Sequence, residues 1–88
     1  MPKDAALLAR VDAYIEAHLE QTIAELARLC AQPSVSAQHQ GIDECAALVA
    51  ELLRARGFSA EIAPSAGNPV VLAEAAGASD RTLICYNH

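Results

Sequence analysis

Apolar residues recur three or four positions apart through the first third of the chain. Leu8, Val11, Ile15, Leu19, Leu26 and Leu29 fall on one side of a helical repeat, with Thr22 in register and Ile23 and Cys30 widening the stripe. The spacing predicts a long amphipathic helix from Asp4 to Ala31. Pro33 stops it, because the residue before a proline avoids the α region. Pro33-Ser34-Val35-Ser36 then reads as an extended connector, and Ala37 to Gly41 as a polar loop.

A second helix is predicted from Asp43, whose carboxylate can cap it by accepting a backbone N–H bond, with Ile42 just outside. Cys45, Leu48, Val49, Leu52 and Leu53 form its apolar face. Gly57 takes the left-handed position that ends a helix, and Phe58 folds back on Leu53. Beyond Gly57 the period drops to two. Phe58, Ala60 and Ile62 alternate with Ser59, Glu61 and Ala63 as a first strand. Pro64 to Pro69, containing Gly67-Asn68-Pro69, is a turn. Val70 to Glu74 is a second strand and Ala75 to Asp80 a connection. Thr82 to Tyr86 is a third strand, apolar on both sides, as in a central strand buried between layers. The fold class is α/β: two helices followed by three strands of a mixed sheet.

Composition narrows this picture. Of 88 residues, 53% are hydrophobic, yet the aromatics are only Tyr14, Phe58 and Tyr86, so the core rests on small aliphatic side chains. The net charge is −5, and the six Lys and Arg residues form no stripe, which disfavours nucleic-acid binding. No apolar run reaches bilayer length and no signal-peptide pattern follows Met1, so no membrane association is expected. Cys30, Cys45 and Cys85 are odd in number and lack a C-x-x-C pair, pointing to a reduced, cytoplasmic setting. The chain stops at Asn87-His88, directly after the strand best suited to the centre of a sheet. A complete domain rarely leaves such a strand uncovered, so truncation of a longer catalytic domain is expected.

Four segments, in order, carry a resemblance. They are Pro33-Ser34-Val35-Ser36, the helix ending Arg56-Gly57-Phe58, Gly67-Asn68-Pro69-Val70-Val71, and Leu83-Ile84-Cys85-Tyr86-Asn87-His88. Together they resemble the start of the dinuclear zinc peptidases and amidohydrolases that include carnosinase, aminoacylase and succinyl-diaminopimelate desuccinylase. In that family an apolar strand leads into a histidine, one further residue and an aspartate. His88 matches the histidine as a metal ligand; the aspartate would lie two positions later. Asn87 departs from the glycine frequent there. Residues i and i+2 of an extended chain point to the same side, so a His and an Asp at that spacing can share one metal site.

The resemblance implies that residues 1–88 are the N-terminal part of a zinc-peptidase catalytic domain, without the lid or dimerisation domain. It implies two zinc ions in the parent enzyme, which these residues alone are not expected to hold. The implied activity is hydrolysis of peptide or N-acyl amide bonds, in dipeptides or N-acyl amino acids, by a metal-activated water. The full-length protein is one that can form a homodimer. No residue here is expected to act as the catalytic acid or base, and the 88-residue chain is expected to be inactive.

Other chemistry reads as structural. His18 lies within the first helix and His39 in a polar loop, as packing or surface residues. Cys85 and His88, three apart on a strand, face opposite sides and make no nucleophile–base pair. Ser34 and Ser36 lack the Gly-x-Ser-x-Gly elbow. Asp43 and Glu44 suit a helix cap and first turn better than a catalytic carboxylate pair. The alternative to an enzyme segment is a non-enzymatic helical interaction module whose first helix docks a partner. In that case the stripe through Leu8, Ile15, Leu26 and Leu29 stays exposed; in an enzyme segment it packs on the strands.

Overall fold

A computed structural model describes residues 2–88, with the side chains of residues 2 and 3 not described. Helix α1 spans Pro2–Ala31, helix α2 Ile42–Ala55, strand β1 Ser59–Ala63 and strand β2 Val70–Glu74. A one-turn 3-10 helix, Ser36–Gln38, sits in the connector between the helices. The chain thus combines helices with strands, and the order of its first four main elements matches the hydrophobic pattern.

The end of α2 is closed as Gly57 predicts. Gly57 has φ 89°, its N–H donates to the Arg54 carbonyl at 3.0 Å, and the Phe58 N–H donates to the Leu53 carbonyl at 3.2 Å. Both hydrogen bonds of a Schellman motif are present, and they occupy carbonyls the helix would otherwise leave open. The chain reverses there and enters β1 without a further loop.

The start of α2 corrects the expectation for Asp43. The cap is Gly41, at φ 71°, with no side-chain hydrogen bond, and the Cys45 N–H donates to its carbonyl at 2.9 Å. Asp43 and Glu44 lie inside the first turn, where their charge opposes the positive end of the helix dipole. A left-handed cap was chosen by packing: a Cβ on Gly41 would collide with the Pro33 carbonyl oxygen. Only glycine lets the loop return this close to the end of the connector.

β1 and β2 form an antiparallel hairpin in the register Ser59↔Glu74, Ala60↔Ala73, Glu61↔Leu72, Ile62↔Val71 and Ala63↔Val70. Directly opposed residues share a face. Ala60, Ile62, Val71 and Ala73 therefore make one face, and α2 packs against the hairpin. Leu72 and Val70 lie on the other, with about half of their surface exposed (50% and 47%).

The buried core is Ala46, Leu48 and Ala50, all on α2. Leu48 lines a shallow cleft with Ala31 and Pro33, on the α1 side. Ala46 and Ala50, one turn apart, lie on the opposite side of α2, toward the hairpin. Their small side chains let helix and sheet approach closely. Of the larger residues the sequence pattern had singled out, Leu48 is buried, and Cys45, Val49, Leu52 and Leu53 are half-buried.

Two expectations fail here. The third strand is absent: residues 81–88 have no regular structure, and Leu83, Ile84 and Tyr86 are 87%, 84% and 83% exposed. Apolar content favours burial but forms a strand only where a neighbouring edge supplies hydrogen bonds, and the described sheet stays two-stranded. Helix α1 does not lie on the strands either. It packs on α2, and Leu8, Ile15 and Leu26 remain 60%, 53% and 59% exposed. The chain exposes 7629 Å², where a compact monomer of 9.2 kDa exposes about 4,900 Å². No helix among the described residues is long and apolar enough to cross a membrane.

Candidate metal-ligand site at His88

His88 follows the irregular run from Arg81 to Asn87, and all of these residues are exposed. The Asn87 side-chain oxygen accepts a hydrogen bond from the His88 backbone N–H at 2.8 Å. The imidazole meets the Tyr86 ring edge to face, with centroids 5.9 Å apart and planes at 87°. Among the described residues no other contact fixes the ring, so its orientation depends on local contacts within three residues.

Zinc binds through three or four protein ligands in structural and catalytic sites alike. Among the described residues, no three His, Cys, Asp or Glu side chains come together in a way that could hold a metal ion. One exposed imidazole does not fit zinc by itself, and no chemical step through a metal follows from these residues.

The other candidates lie elsewhere and do not join His88 in such a group. His18 stacks on Tyr14, with centroids 4.0 Å apart and planes at 20°. Its Nδ1 lies 2.8 Å from the Tyr14 carbonyl oxygen, which can only accept, so Nδ1 carries the proton. His18 is thus tied into α1, in keeping with a packing role. His39 has φ 50° and closes the 3-10 turn by donating its N–H to the Ser36 carbonyl at 3.2 Å. It is a left-handed corner residue, stabilised by the Val35↔Gln40 bridge. The cysteines are free thiols: Cys30 and Cys85 are exposed and Cys45 is half-buried. Cys30, on the apolar stripe of α1, and Cys85, in the run expected to form a buried third strand, are thus both uncovered.

The connector and the hairpin loop do meet. The Asn68 side-chain amide donates to the Ser36 hydroxyl at 3.2 Å, across 32 residues of sequence. Within the loop, the Ser65 hydroxyl donates to the Asn68 carbonyl at 2.5 Å and accepts the Gly67 N–H at 3.1 Å. Two of the segments that carry the family resemblance, Pro33–Ser36 and Gly67–Val71, are therefore in contact. The role this gives Ser36 is that of a tether.

Charge pairs between the helices were not legible beforehand. Arg56 Nη2 donates to Glu25 Oε1 at 2.7 Å, and Arg28 Nη2 donates to Glu51 Oε2 at 3.0 Å. The Arg56 hydrogen bond and charge, with help from Gln21, hold the Glu25 carboxyl below its usual value, and Glu25 in turn raises Arg56. The sequence signal was faint, because partners more than twenty residues apart can be matched only once helix packing is known.

Compared with known proteins, the chain matches no family model, no curated protein and no solved structure.

Proposed function

We propose that this chain is the N-terminal part of the catalytic domain of a metal-dependent hydrolase acting on peptide or N-acyl amide bonds. His88 contributes one ligand to a zinc site whose other ligands lie outside these residues. The observation that carries the reading is the ordered set of four segments ending in an apolar run that leads into His88. The large uncovered apolar surface supports it, because α1, the outer face of the hairpin and residues 83–86 all suit burial against further layers of an α/β domain. The chain's own role is then scaffolding. The Schellman turn sets β1 against α2, the Ser36–Asn68 bond joins connector to hairpin loop, and the final run presents His88. Substrates of the whole enzyme are dipeptides or N-acyl amino acids, in the cytoplasm, with two zinc ions, and the full-length protein is one that can form a homodimer.

The codon two positions after that of His88 tests the proposal. An aspartate there, with acidic and histidine ligands further on, supports it; a stop codon or a polypeptide with no such ligands overturns it. The purified 88-residue chain, assayed with zinc on dipeptides and N-acyl amino acids, gives no turnover above blank. Turnover would refute the scaffolding role.

One observation favours the second reading, a helical interaction module. The stripe of α1 stands exposed and does not pack on the strands, as a docking helix requires. The enzyme reading stands first because it also accounts for the segments after α1, which a docking helix leaves unexplained.

A further inference from the structure

We draw no further inference here: the strongest candidate, the apolar stripe of Leu8, Val11, Ile15, Leu19 and Leu26 along the free face of α1, carries none because nothing in the structure shows what covers it.

Discussion

Arg56, the residue that closes α2, donates a 2.7 Å hydrogen bond to Glu25 on α1. One side chain thus joins the end of the second helix to the last third of the first, next to the turn into β1. The Glu25 carboxyl is held below its usual value in the folded chain. A carboxyl with a depressed folded value favours folding above its unfolded pKa of about 4.3 and loses that contribution as pH falls through the folded value. The contact between α1 and α2 is therefore expected to loosen between about pH 4.3 and lower values. Glu25→Gln removes this acid-sensitive component. Amide exchange of residues 21–31 against pH checks it: the wild type loses protection on acidification below that point, and Glu25→Gln shows a flatter profile. Identical profiles for the two would show that the ion pair does not hold the helices together.

The two left-handed glycines make unequal demands. At Gly57 nothing lies within reach of an added Cβ, so Gly57→Ala meets only the backbone cost of about 1–2 kcal/mol. At Gly41 the same cost applies, and the new methyl also strikes the Pro33 carbonyl. Gly41→Ala is expected to lower the urea midpoint of the α-helical signal more than Gly57→Ala does. The reverse order would place the connector farther from the start of α2.

Ala50 has no exposed surface and lies on the side of α2 facing the hairpin. Overpacking a tight site costs about 1–3 kcal/mol, so Ala50→Leu is expected to push the hairpin away from the helix. Ala47, exposed on the same helix, is the control, and Ala47→Leu leaves stability nearly unchanged. Denaturant midpoints of the two variants provide the measurement. Equal midpoints would mean that α2 and the hairpin do not pack closely.

The elements that the sequence made legible are those specified by neighbours along the chain. Gly57 and Phe58 announce a helix end because the Schellman motif is local, and Val70 to Glu74 alternate because only the neighbouring strand is needed to pair them. Residues 82–86 form no strand among the described residues because their pattern records a preference for burial, whereas a strand needs an edge to bond with, and β1 and β2 pair only with each other. The start of α2 was misread for a related reason. Asp43 is a good cap in isolation, but the close approach of Gly41 to Pro33 moved the cap two residues back. The proposed ligand role of His88 rests on the family resemblance alone. Its surroundings confer no metal geometry of their own, while the Glu25–Arg56 and Ser36–Asn68 contacts depend on tertiary packing.

Amide exchange along the whole chain separates the two readings of α1. In the 88-residue chain, residues 46–53 of α2 are expected to exchange most slowly, because the buried core lies there. Residues 5–20 of α1 and 81–88 should exchange much faster, since the first stretch is largely exposed and the second has no ladder hydrogen bonds. The same measurement on a polypeptide extended through any coding sequence beyond His88 then decides between the readings. In an enzyme domain, residues 5–20 and 82–86 become protected together and without a partner, because one sheet and its covering layers bury both. In a docking module, 82–86 stay fast and residues 5–20 slow only when a separate protein is added. If 5–20 are already as slow as 46–53 in the short chain, the helix has found a cover within these residues, and the exposed stripe is not the arrangement in solution.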